Sequence, residues 1–163
     1  MATTVTSVVS TARGNSQRGR NPYYVENTID FADITVDPSS DDIVQAIAIP
    51  AGSLLVSAGF EVVEALTIAN TGSDETVDLG TDVNDDKYVA AFDIDAATAG
   101  DYGTSVDGGM NPEIHGSANT LDLTFAGTGD GISAGKIRVF AVLMDVTEAG
   151  DLSANEVDRD TLA

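Results

Sequence analysis

From Tyr24 onward, apolar and polar positions alternate with a period of two, the pattern of strands that bury one face. Ile43, Gln45, Ile47 and Ile49 alternate with Val44, Ala46 and Ala48. That segment is apolar on almost both faces, which predicts a strand inside a sheet, and Pro50-Ala51-Gly52 ends it. Leu54, Val56, Ala58, Phe60 and Val62 form a second row, with Leu55, Ser57, Gly59, Glu61 and Val63 opposite. This predicts a longer strand, with one face in the core, running to about Ala65. Upstream, Ile29 and Phe31 share one parity while Ile34 and Val36 share the other, so the segment needs either a bulge near Ala32 or two strands.

Downstream, Thr76 to Leu79 and Lys87 to Ile94 read as strands, with Tyr88, Ala90, Phe92 and Ile94 in phase and an acidic loop between them. Asp95 to Met110, punctuated by Gly100, Gly103, Gly108 and Gly109, reads as loop with one short strand at Thr104 to Val106. Leu121, Leu123 and Phe125 mark a half-buried strand. Gly127-Thr128-Gly129-Asp130-Gly131 turns the chain, and Lys136 to Val146 supplies the last and most apolar strand. Seven to nine strands without a sustained helical period predict an all-β fold, an antiparallel β-sandwich of jelly-roll type. Beyond Val146 the pattern stops. Ser153 and Glu156 have capping-box spacing for one short helix, and a disordered tail is the alternative.

Length and composition narrow the class. The chain has 163 residues, of which 42% are hydrophobic and 6% aromatic, with no Trp. That is enough for one domain with an aliphatic core. Absence of Cys removes disulfides, thiolate zinc sites and thiol nucleophiles, and a single histidine, His115, removes His-cluster metal sites. The longest uninterrupted apolar run, Val139 to Met144, falls far short of the ~20 residues of a membrane-spanning helix. No membrane partner is expected. Met1 to Ala12 lacks the basic and apolar regions of a signal peptide and reads as a flexible arm.

Charge adds the next division. Asp plus Glu number 27 against 7 Lys plus Arg, a formal net charge of -20, which makes nucleic acid a poor partner. Residues 1 to 22 hold Arg13, Arg18 and Arg20 and no acid, a local +3; residues 23 to 163 hold 4 basic and 27 acidic groups, so 4 - 27 = -23. The expected organisation is a basic extended N-terminal arm over 1-22, a sandwich domain over 23-146 and an acidic tail over 147-163. Such an arm cannot bury enough apolar area to order itself alone and gains structure against a partner, for example the acidic face of a sister subunit.

Motifs for chemistry are sparse. Asp82, Asn84 and Asp86 stand at the 1, 3, 5 spacing of a calcium loop, with Asp93 at position 12. Lys87 replaces the turn glycine, and strands rather than helices flank the segment. The loop is therefore a weak cation site at most. Gly127-x-Gly129-x-Gly131 has no following helix to cradle a phosphate and is a hairpin turn. His115 has Glu113 nearby but no nucleophile motif, which favours a loop or interface histidine. Nine rings without Trp are few for a glycosidase cleft. The expectation is a protein that binds, with no cofactor and no catalytic residue.

The phrases Ile49-Pro-Ala-Gly-Ser-Leu-Leu-Val56, Ala58-Gly-Phe-Glu-Val-Val63, Val77-Asp-Leu-Gly80, Lys87-Tyr-Val89, Ala118-Asn-Thr-Leu-Asp-Leu-Thr124 and Gly135-Lys-Ile-Arg-Val139 follow an order that resembles small virion proteins of tailed bacteriophages. The resemblance covers about 100 residues and implies a β-sandwich decoration, or cement, protein. Such a protein is often trimeric and sits on the capsid exterior, with the major capsid protein as its partner. Its implied contacts are the arm with Arg13, Arg18 and Arg20, then Tyr23 and Tyr24 where the arm meets the body, and the loop Asp101 to Gly116 with Tyr102 and His115; arginine and aromatic side chains are the usual interface anchors. The competing reading is a receptor- or glycan-binding module of a head or tail fibre built on the same sandwich. A cellular surface-layer module is disfavoured because export signals are missing.

Overall fold

The computed structural model describes residues 4–5, 10–11, 21–69, 74–103 and 112–146. In chain order the strands are β1 (Thr4–Val5), β2 (Ser10–Thr11), β3 (Tyr23–Asp30), β4 (Ile43–Ile49), β5 (Ser53–Ala69), β6 (Thr76–Gly80), β7 (Val89–Asp93), β8 (Tyr102–Gly103), β9 (Glu113–His115), β10 (Asn119–Ala126) and β11 (Asp130–Asp145). They form two sheets. One has the order β1-β4-β10-β6-β7, with β2 also on β4, and the other β3-β11-β5-β8, with β9 also on β5. Pairing within the body is antiparallel, while β1 and β2 run parallel to β4. The chain therefore folds as an all-β sandwich.

The core lies between the sheets because each strand turns one parity inward. Val44, Ile47, Val77, Leu79, Leu121, Leu123 and Phe125 come from the first sheet, and Ile29, Leu55, Phe60, Val62, Ile137, Val139 and Leu143 from the second; all are essentially inaccessible to water. Each such burial contributes about 1.5 to 3 kcal/mol. Phe31 meets Phe125 edge to face at 5.6 Å, and Phe60 meets Phe92 at 5.1 Å, the ring geometry that the aromatic quadrupole favours.

Bulges shift the simple alternation. Across β5 and β11, Leu143 faces Leu55 and Val142 faces Ser57, so Val56 is the extra residue. Ser53 and Leu55 point inward before it, and Ala58, Phe60 and Val62 after it, while Leu54 and Val56 are only half buried. The single row from Leu54 to Val62 is thus broken by a register slip. In β4, Leu121 faces Ile47 and Asp122 faces Gln45, which leaves Ala46 unopposed and puts both Ala46 and Ile47 in the core. The segment near Ala32 resolves as a turn: Asp33 N–H donates to the Asp30 carbonyl at 3.2 Å, and Val36 then makes an isolated bridge to Ile132.

Other boundaries moved too. β5 continues to Ala69 and β11 begins at Asp130 rather than Lys136, because each extends the other's ladder. Lys87 and Tyr88 lie outside β7, which starts at Val89. Asp95 to Gly103 ends in β8, a two-residue pairing of Tyr102 and Gly103 with Glu61 and Phe60. The short strand expected at Thr104 to Val106 and the helix expected after Ser153 lie outside the described residues.

Candidate functional site

The region that gathers most of the described candidate residues is the edge and outer face of the second sheet. β9 docks on the start of β5 with Ser53 opposite His115, Leu54 opposite Ile114 and Leu55 opposite Glu113. Gly52 N–H donates to the His115 carbonyl at 2.7 Å. This pairing makes His115 part of a strand rather than a loop, and only 6% of it is exposed. Its Nε2 is buried without a hydrogen-bond partner among the described residues, 3.9 Å from Glu113 Oε2. That separation is too long for a hydrogen bond.

Glu113 is instead gripped by Lys87 from the β6–β7 loop, at 2.5 Å, with both side chains largely shielded from water. The contact ties the edge of one sheet to a loop of the other. Lys87 Nζ also lies 5.8 Å from the centre of the Tyr88 ring, within cation–π range. Burial, helped by the nearby Glu113 charge, pushes the Tyr88 phenol well above its ordinary value. Its hydroxyl is neutral at any physiological pH. Ser53, buried opposite His115 across the β5–β9 ladder, is the one hydroxyl residue next to the histidine in this pairing.

Tyr24 and Tyr102 stand out on the surface at 57% and 56% exposure. Tyr24 stacks on Phe140 at 6.3 Å with planes 21° apart, and its hydroxyl donates to Glu26 at 2.9 Å. Burial first, and Glu26 second, raise the Tyr24 phenol. Tyr23, one residue earlier, packs partly buried against the core. Arg13, Arg18 and Arg20 lie outside the described residues, so their relation to these tyrosines is not described.

At the other candidate site, Asp82, Asn84 and Asp86 are exposed in the β6–β7 loop. The turn is closed by backbone bonds, with Thr81 N–H donating to the Asn84 carbonyl at 2.9 Å and Asn84 N–H donating to that of Thr81 at 3.1 Å. Asp82 accepts from the Asn119 amide at 2.6 Å. Beside it runs an open groove lined by Gln45, Asp82, Ala118, Asn119, Thr120 and Asp122. Burial, opposed by a Thr120 hydrogen bond and reinforced by Asp82, raises the Asp122 carboxyl. Among the described residues, no group of three or more His or acidic side chains is arranged to hold a metal ion.

Several apolar residues on the outer face of the second sheet, among them Ile114, Phe140, Val142 and Met144, were not singled out from the sequence, and Leu54 beside them was expected in one row with Phe60 and Val62. Their signal is present in β11. Phe140, Val142 and Met144 make its second parity apolar as well, although the inward parity already carries the core. Among the described residues no helix is long and apolar enough to cross a membrane.

Three solved structures share this fold. A chain in the capsid asymmetric unit of cyanophage Pam1 superposes with a TM-score of 0.57 and 14% identity, covering 82% of this chain and 90% of that one. A chain of the capsid of Ralstonia phage GP4 gives 0.62 and 13%, covering 90% and 100%. A chain of the acidic stable capsid structure of Helicobacter pylori bacteriophage KHP30 gives 0.53 and 16%, covering 77% and 89%. No family model matches the chain, and no curated protein matches it.

Proposed function

We propose that the chain is a virion structural protein of a tailed bacteriophage, a decoration or cement protein that binds the exterior of the major capsid shell and stabilises it. The observation that carries this reading is the fold itself, shared over most of its length with chains of three phage capsids. The strand order supports the jelly-roll type. Counting only the body, with β8 and β9 as one segment, the sheets read first-eighth-third-sixth and second-seventh-fourth-fifth, the double Greek key of that fold. Its work is binding rather than turnover.

A decoration protein stabilises by mass action: it binds the closed shell better than the separated parts and so shifts the equilibrium against opening. The arm, with Arg13, Arg18 and Arg20, carries charge opposite to the body and is assigned to contacts across subunits, in a homo-oligomer that the resemblance makes a trimer. Tyr23, Tyr24, Tyr102 and the segment around His115 are assigned to the same contacts. Quantifying the chain against the major capsid protein in purified particles tests the reading. Hundreds of copies per particle are expected, and a handful, together with binding to host cells, would establish the fibre module instead.

A further inference from the structure

Asp122 alternates with the inward Leu121 and Leu123, which puts it on the outer face of the first sheet. Across the ladders it stands between Gln45 of β4 and Gly80 of β6. A Cβ at Gly80 would collide with the Asn84 and Asp85 carbonyls, so the glycine is what lets the β6–β7 loop fold down against this face. Asp122 is left only 6% exposed beside that loop, and Asp82 of the loop joins it in lining the groove. The Thr120 hydroxyl bonds the Asp122 carboxylate and accepts from the Gln45 amide at 3.3 Å. Asp122 Oδ1 nevertheless has no hydrogen-bond partner among the described residues.

A carboxylate oxygen buried without a donor is costly, and Asp82 adds a like charge next to it. No base relieves the pair. Among the described residues, Lys87 is held by Glu113, Lys136 by Asp30 and Glu64, and Arg138 by Glu61. The groove encloses about 360 Å³, room for an ion that keeps part of its water shell. Its donors are oxygens: two carboxylates, the Gln45 amide and the Thr120 hydroxyl. That mixture of charged and neutral oxygens suits Ca²⁺, and two carboxylates balance one divalent charge. Asp82 is already steered by the Asn119 amide, which donates to its Oδ1 at 2.6 Å. Mg²⁺ demands near-ideal octahedral geometry, which an open and irregular groove offers less readily.

We propose that the groove between β4, β10 and the β6–β7 loop binds a calcium ion, with Asp122 and Asp82 as its charged ligands and Gln45 as a neutral one. This site differs from the 1, 3, 5 spacing of Asp82, Asn84 and Asp86, because Asn84 and Asp86 take no part in it. It is also independent of the virion reading. With two carboxylates, the dissociation constant should fall near that of extracellular calcium modules, about 10⁻⁴ to 10⁻³ M. Thermal melts of the full chain test it, first in EDTA and then in equimolar CaCl₂ or MgCl₂. At about 10 mM, calcium should raise the melting temperature by about 3 to 10 °C, and magnesium by clearly less. Asp122→Asn and Asp82→Asn should each abolish the calcium increment, while Asp86→Asn keeps it. In EDTA, Asp122→Asn should melt no lower than the wild type, so a lost increment there is not a lost fold. An increment that magnesium matches, or none at all, overturns the proposal. So does an increment that survives both Asp122→Asn and Asp82→Asn, or one that Asp86→Asn alone abolishes.

Discussion

Gly103 is where the second sheet admits its edge strand, and replacing it with alanine tests how that edge is held. An added Cβ would stand 2.4 Å from Cζ and 2.6 Å from Cε1 of Phe60, whereas carbons in contact normally sit about 3.5 to 4.0 Å apart. Phe60 has no room to retreat: it is fully buried and braced edge to face against Phe92 at 5.1 Å. The backbone of β8 must therefore lift. Lifting strains the two bonds that anchor this segment, Val62 N–H to the Asp101 carbonyl and Gly100 N–H to the Val62 carbonyl, both at 2.8 Å. Overpacking of this kind costs about 1 to 3 kcal/mol, and G103A should lose that much in urea unfolding. Amide exchange should quicken at Val62 and Gly100 but not in the β10–β6 ladder. In the double variant with Phe60→Leu, which shortens the offending ring, the two costs should fall short of additive by about 1 kcal/mol. A G103A protein as stable as wild type, or a cycle that adds without coupling, would refute the steric account.

Two further substitutions probe charged groups in shielded places. Asp122→Asn removes a carboxylate whose ionisation burial opposes. A carboxyl raised in the folded state weakens stability as pH climbs from the ordinary aspartate value, near ~3.9, through its folded value. The variant should thus gain about 1 kcal/mol at neutral pH, and the gain should vanish below that range; denaturant melts at both pH values check it. Lys87→Met leaves Glu113 without its cation in a shielded position and should cost about 1 to 2 kcal/mol, recovered in part by adding Glu113→Gln. An uncoupled cycle would show the pair to be ornamental.

Strands whose partners bury one face were readable directly: Leu121, Leu123 and Phe125 lie in the core as their spacing predicts, and so do Val77 and Leu79. What period-two reading could not see is where one strand slips against another. The extra residues at Val56 and Ala46 exist only relative to β11 and β10, so no local pattern marks them. β8 and β9, of two and three residues, are too short to show alternation and are defined by what β5 offers them. The same holds for the site. Tyr24 and Tyr102 were visible as rare aromatics outside the hydrophobic rows. The Lys87–Glu113 pair joins residues 26 apart, and the apolar outer face is assembled from four strands, β3, β5, β9 and β11; both required the fold.

Tyr23 at the start of β3 is paired with Leu143 near the end of β11, and Val146 N–H donates to the Gly52 carbonyl at 2.9 Å close by. β3 thus begins and β11 ends at one pole of the sandwich. A peptide inserted directly before β3 or directly after β11 therefore starts from the same spot. A short linker between those two points would close the stretch 23–146 into a ring, the arrangement from which circular permutation starts.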